Sequence, residues 1–367
     1  MMAEINGITS PEAINIATRG QVLLERLKSG QAAKFAPFLK RMEVILRMRL
    51  AAGDLTSYQA AKVTALLQSI EGDLTAVMGE YRTMLTGDLI DTAIQQAQFE
   101  ARTLDHLVTE KAFESFVPTA EQVRSAVLTA PLSVVGYNQG QLLESWLQNW
   151  SAGQIEQISG VIRQGYYQGQ TTDQIVRALR GTTKANFLDG TLAQIDRSNR
   201  TVVRTAVQHM STVARQQTYE RNSDLVKGVQ WVSTLDSRTT TQCRSLSGKR
   251  FPVDKGPRPP IHPNCRSTTV PVLDDAFDIL DKGATQASKG EEGGQQVSAD
   301  LTYYEWLKTQ PAGFQDAAIG QVRGKLLRNG GLSADRFSEL QLGQNFQPLT
   351  LEQMRALEPL AFKRAGI

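Results

Sequence analysis

Between residues 63 and 84 the apolar side chains fall at Val63, Leu67, Ile70, Leu74, Val77, Tyr81 and Met84, in alternating steps of four and three. Only a helix brings residues so spaced onto one side, and a seam that long demands a facing helix to cover it. Helical spacing resumes after Asp88 through Leu89, Ile90, Ile94 and Ala97. The pattern therefore predicts one long helix over about 56–107, or two in series broken near Gly87, with Thr56 or Ser57 as its cap. Its expected partner is the preceding helix, around 17–51, in an antiparallel hairpin; the alternative is that the seam faces another subunit.

Capping boxes punctuate the next hundred residues. Thr119-Ala-Glu-Gln122, Ser151-Ala-Gly-Gln154 and Thr171-Thr-Asp-Gln174 each place a hydroxyl three residues before a glutamine, and helical apolar spacing continues after the last two. Gly181 stands where a helix end favours a left-handed residue. A further helix is expected over about 199–220, through Val202, Val203, Ala206, Met210 and Val213. With 41% hydrophobic but only 7% aromatic residues, the composition also suits helices better than sheets.

The character changes near 227. Val229–Leu235 alternates β-forming residues, Ser245–Phe251 reads as a turn into a second strand, and Ser267–Leu273 reads as a third. Pro271 confines that third strand to an edge or an end. Lys255–Pro260 is a stiff Gly/Pro loop. The fold class expected is mainly α with a small β-rich module near 227–273, an α+β chain. The expected division is a helical body over 1–222, the β-rich module over 223–273, an acidic Gly/Gln-rich mobile linker over 274–300, and a helical segment over 301–367. In that last segment Gly330 and Gly331 close one helix, and Thr350-Leu-Glu-Gln353 caps the last.

No apolar run approaches the roughly 18 residues needed to cross a bilayer, and the first residues lack a basic and apolar leader. The expectation is a soluble chain made in a reducing compartment. Its net charge of +3 excludes a bulk polycation and an acidic disordered chain. That total conceals a basic zone: residues 200–270 carry twelve basic against four acidic residues, a local excess of +8. Such a zone could meet nucleic acid or an acidic protein face, or be a solvated surface with internal pairs.

The chain has two cysteines, Cys243 and Cys265, and three histidines, His106, His209 and His262. Two cysteines make no disulfide framework. Cys243, His262 and Cys265 form a C-x18-H-x2-C pattern of preferred zinc ligands, with Asp236 the nearest candidate for a fourth. A three-ligand set with one open position is also the layout of a catalytic zinc. The alternative is that both cysteines are small buried apolar residues and His262 ties a loop.

The surrounding segment resembles the phage Mu F-like minor head proteins, also called phage head-morphogenesis proteins. That family carries a Trp-rich strand, an Asp-x-Arg-Thr, a Cys or His, a Leu-x-Gly turn and a terminal His-Pro-x-Cys-Arg-Cys. Here these stand as Trp231, Asp236-Ser-Arg238-Thr239, Cys243, Leu246-Ser-Gly248 and His262-Pro263-Asn264-Cys265-Arg266. The resemblance covers 230–272 and extends to Tyr304-Glu-Trp306-Leu-Lys-Thr-Gln310-Pro311 and Gly320-Gln-Val-Arg323-Gly; the first 200 residues share only helical character. Ser267 replaces the family's last Cys, and Thr240 stands where some members have another Cys, so two potential ligands are missing.

The resemblance implies a virion structural protein of the head interior or portal vertex. Such a protein acts in procapsid assembly, binds the portal and other head proteins, stands in several copies per virion and in some cases leaves with the DNA. Packaged DNA could then meet the basic 200–270 zone. The alternative is a zinc-dependent, HNH-like nuclease or DNA-binding module. An HNH site needs a second histidine, and the nearest, His209, lies in an expected helix. There is no P-loop and no Ser-His-Asp spacing. The chain is accordingly read as not an enzyme.

Overall fold

The computed structural model describes residues 5–53, 60–109, 113–134, 139–280, 283–343 and 345–367. The expected cap at Thr56 or Ser57 lies outside them. Seven helices come first: α1 (Pro11–Ala33), α2 (Ala36–Ala52), α3 (Ala60–Leu107), α4 (Ala120–Thr129), α5 (Leu143–Tyr167), α6 (Thr172–Arg180) and α7 (Thr191–Arg221). Then come β1 (Val226–Val232), β2 (Leu235–Asp236), α8 (Thr241–Leu246), β3 (Arg250–Phe251), β4 (Thr268–Leu273), β5 (Thr285–Gly290) and β6 (Gly293–Ser298). The chain closes with α9 (Tyr303–Lys308), α10 (Ala312–Ile319), α11 (Gln321–Asn329), α12 (Ala334–Glu339), α13 (Leu351–Leu357) and α14 (Pro359–Arg364). At 62% helix and 10% strand, this is the mainly α fold with a small β module that composition implied.

α3 is a single unbroken helix of 48 residues, about 70 Å long at 1.5 Å per residue. No break occurs near Gly87, because Gly72, Gly79 and Gly87 all face open space and leave the apolar face intact. From Val63 to Tyr81 every residue of the seam is buried, while Met84 is half-buried. The seam packs inside its own chain, but not in a simple hairpin: α3 lies against α7 and α5 as well as α2. The stretch expected as one helix over 17–51 is two, parted at Lys34 and Phe35, with Ser10 capping α1 and Pro37 opening α2.

The capping boxes at Thr119 and Thr171 form as expected. The one at Ser151 does not. α5 runs straight through it, held by Trp146, Leu147, Ile155 and Ile158, and the Ser151 hydroxyl donates to Gln148 O at 2.9 Å. α7 starts eight residues before the expected position, so Asn199 is mid-helix and buried, where it accepts from the Tyr81 hydroxyl at 2.5 Å and donates to Ala32 O at 3.1 Å. At the far end, the box at Thr350 caps α13, and α14 comes directly after it.

Two three-stranded sheets make the β module. In the first, the order is β3-β1-β4, all antiparallel, with Trp231 opposite Thr269 and Val229 opposite both Phe251 and Pro271. Pro271 therefore sits on an outer strand, where its missing N–H costs no ladder bond. Gly228 marks an irregularity between β1 and β4; a Cβ there would lie 2.7 Å from Ile5 and 2.8 Å from Phe251 O. Ser245–Leu246 belong to α8, a short helix capped by Thr240, so only Arg250–Phe251 are strand. The second sheet is β2-β5-β6, with β2 and β5 parallel. Its β5–β6 hairpin occupies the stretch whose Gly/Gln composition reads as a mobile linker. The turn at Glu291-Glu292 ends on Gly293 at φ 102°, and Gln286 turns inward to donate to Leu301 O at 2.8 Å.

Three apolar clusters hold these parts. The first fills the helical body, and the third unites α9–α14 around Tyr303, Trp306 and Phe337. The second joins Ala13 and Ile14 of α1, Leu104 and Leu107 of α3 and Tyr219 of α7 to Trp231, Leu246, Cys243 and Cys265.

Candidate functional site

The motif residues converge below β1. Trp231 is fully buried, and its Nε1–H donates to Ser233 Oγ at 3.0 Å; that hydroxyl donates to Cys243 O at 2.5 Å. Asp236 organises the next turn. Its Oδ1 accepts from the backbone N–H groups of Arg238 at 3.0 Å and Thr239 at 3.1 Å, while Arg266 grips both carboxylate oxygens at 2.6 and 2.9 Å. Burial works against its charge, yet Arg266 and these donors hold its pKa below the usual carboxylate value. The Arg238 side chain is 76% exposed, with its Nε 3.6 Å from Asp236. Gly248 comes after α8 at φ 82°, with Thr302 2.7 Å from where a Cβ would stand.

The downstream aromatic stretch clamps this turn. Tyr303 OH donates to Asp236 O at 2.8 Å, Tyr303 N–H donates to Ser247 Oγ at 3.1 Å, and the Arg244 guanidinium lies 5.3 Å from the Tyr303 ring.

Cys243, at the start of α8, meets His262 and Cys265 from the loop before β4. The three ligating atoms lie within 4.8 Å of one another: Cys243 Sγ is 3.1 Å from His262 Nε2 and 3.7 Å from Cys265 Sγ. Both sulfurs are buried. Pro263 serves through its carbonyl, which accepts from His262 Nδ1–H at 2.9 Å and turns Nε2 toward the sulfurs. Asn264, at φ 58°, anchors the loop to α7 by donating its N–H to Thr205 Oγ1 at 3.2 Å. Burial pushes the Cys243 thiol up, and the neighbouring Cys265 pushes it further. Burial opposes ionisation of Cys265 as well, but hydrogen bonds from Cys243 and His262 hold it well below the ordinary thiol range. The two thiols are thus shifted in opposite directions by their contact.

Asp236 is not drawn into this cluster: its two oxygens are taken by Arg266 and the turn. Among the described residues, the His/Cys/Asp/Glu group placed to hold an ion is Cys243, His262 and Cys265. His106 is exposed on α3. His209 is buried in α7 with Nε2 3.3 Å from Ala130 O, and burial lowers its pKa to about 4. Its neutral ring is expected to shape acid stability. Below pH 6.5 the unfolded chain takes up a proton that the folded one refuses, so stability is full above pH 6.5 and falls until about pH 4. A gap of that size corresponds to about 3 kcal/mol. Denaturant titrations at pH 7 and pH 4.5 should show that loss, and a His209→Gln variant should show a clearly shallower one; identical slopes would contradict it.

Sequence reasoning missed Lys28. This α1 side chain is wholly buried, with Nζ 2.5 Å from Glu25 and 2.6 Å from Gln208, and 3.4 Å from Cys265 O. It sits in a polar stretch of α1 with no distinguishing spacing. Beside it, a cleft of about 580 Å³ separates α1 from the β module and is bordered by Glu25, Arg204, Thr234 and Arg266.

Residues 156–270 match the family described as Phage Mu protein F like protein. The likeness spans 115 of the 367 residues, under a third of the chain. The Mu F-like match starts within α5, so it takes in α6 and α7 as well as the β1–β4 module; kinship reaches well into helices that resembled the family only in being helical. It ends at Val270, short of the aromatic stretch at 304–311. Comparison with curated proteins and with solved structures gives no match. The Mu F-like family points to phage head morphogenesis and to head proteins as partners. No described helix is long and apolar enough to cross a membrane.

Proposed function

We propose that the chain is a minor head protein, seated at the portal vertex or head interior, that acts in procapsid assembly and serves as structure rather than as an enzyme. The observation that carries this reading is the Mu F-like match over 156–270, which covers the Cys/His cluster together with α6, α7 and α8. The α3 seam is spent on the chain's own core, so a portal would meet other surfaces.

DNA delivery through the basic zone is left out of this reading, because at least seven of the zone's twelve basic side chains are ion-paired or buried. Within 200–270, Arg200, Arg204, Arg215, Lys227 and Arg266 are paired with Asp196, Glu25, Glu100, Asp274 and Asp236. Arg244 and Arg258 are buried and donate to backbone carbonyls. Arg238 and Lys255 are among those left more than three-quarters exposed. The nuclease alternative lacks the second histidine it needs, since His209 bonds Ala130 instead of joining the cluster.

The test is co-sedimentation of the purified chain with the portal encoded beside it, then the same assay with each other head component. Binding to portal rings at a fixed stoichiometry is expected. Failure with every head component of that phage would sink the proposal.

A further inference from the structure

We propose that Cys243, His262 and Cys265 hold one tetrahedral zinc ion, with the fourth position filled by a water beside Thr240. The proposal does not rest on the head-protein reading.

Geometry comes first. Two sulfurs, each about 2.3 Å from a tetrahedral zinc, stand about 3.8 Å apart, and a sulfur and an imidazole nitrogen stand about 3.6 Å apart. The sulfurs here are 3.7 Å apart and Cys243 Sγ is 3.1 Å from Nε2, so admitting the ion asks about half an ångström of the imidazole and little of the sulfurs. The half-buried His262 ring can supply that movement.

The ring is also held as a ligand is held. With Nδ1–H given to Pro263 O at 2.9 Å, Nε2 faces the two sulfurs and would give up any proton it shares with them to ligate the ion; a carbonyl on the far nitrogen is a usual support for a zinc-bound imidazole. Thiolate with imidazole is a donor set that selects zinc over the hard cations.

The fourth side is polar and has room. A cavity of about 30 Å³ opens onto Cys243 and His262 and is bordered by Thr240 and Ser267. That is space for one water. Thr240 Oγ1, 3.0 Å from Nε2, is placed to hold it. Asp236 plays no part, being committed to Arg266.

Finally, the site has something to stabilise. Residues 252–267 form neither helix nor strand. A metal tying His262 and Cys265 to α8 would fix this loop from within, and two thiolates neutralise the ion in a place where burial disfavours lone charge.

The experiment uses the full chain purified under reducing conditions, first for elemental analysis and then, after chelation, with cobalt alone as the probe. The expected results are about one zinc per chain, thiolate-to-cobalt charge transfer with intense tetrahedral d–d bands, and at least a tenfold loss of zinc affinity in Cys265→Ser. Thr240→Cys, which supplies a fourth protein ligand and a third thiolate, should tighten binding at least tenfold. Should Cys265→Ser fail to fold, titrating the wild type with an organomercurial gives the same answer, with zinc released in step with the two thiols. Folded protein with neither metal nor a cobalt spectrum would overturn the proposal. So would a Cys243–Cys265 disulfide in its place, or zinc retained after both thiols are blocked.

Discussion

Replacing Arg215 with alanine is expected to cost about 3–5 kcal/mol of stability, as is usual when one partner of a buried ion pair is removed. Arg215 and Glu100 are both almost wholly buried, with Nε 2.7 Å from Oε1, where α7 crosses α3. Gln96 and Tyr219 also donate to this carboxylate, at 2.6 and 2.9 Å. Deleting the guanidinium leaves a carboxylate that has lost its countercharge and cannot reach water. The pair itself contributes much less than its removal costs, because both ions were desolvated to form it. Hence the double variant Glu100→Leu, Arg215→Met should regain at least half of the loss. Denaturant midpoints of the wild type and both variants measure this. A loss below about 1 kcal/mol in the single variant would mean that the carboxylate finds water or a proton after all.

Trp231→Ala should be of similar size, about 3–5 kcal/mol, for a different reason. The indole lies at the centre of the β3-β1-β4 sheet, fully buried against the cluster that contains Leu246, Cys243 and Cys265. Truncation opens a cavity and removes the Nε1–H donor that fixes Ser233, whose hydroxyl in turn holds Cys243 O. Two readouts test it. The denaturant midpoint should fall sharply, with Trp231→Phe in between because it refills most of the volume but not the hydrogen bond. Both thiols, buried in the wild type, should also become faster to label. Unchanged labelling in a destabilised Trp231→Ala would separate this tryptophan from the Cys/His cluster.

How far the sequence could be read depends on where the information lies. The α3 seam and the boxes at Thr119, Thr171 and Thr350 were legible because each is settled within a few residues of chain. Ser151 misled because a capping box carries no sign of whether the preceding turn has ended, and Trp146, Leu147 and Trp150 had already started that helix. The β5–β6 hairpin was missed because its strands are mostly exposed and carry glycine, glutamine and serine, with an inward anchor at Gln286. At the cluster, the three residue types were visible in sequence. The diversion of Asp236 to Arg266 was not, since it depends on a contact across 30 residues. Lys28 and Asn199 were invisible for the same reason: a buried polar residue is specified by its distant partners, not by its neighbours in the chain.

Three helices share residues between two apolar clusters. Leu24 and Ala32 of α1 lie in the helical body, while Ala13 and Ile14 reach the β module; α3 does the same from Val63 to Leu107, and α7 from Leu192 to Tyr219. The struts that brace the body are therefore also the footings of the β module. Loosening one of these two clusters is expected to loosen the other, since α1, α3 and α7 enter both.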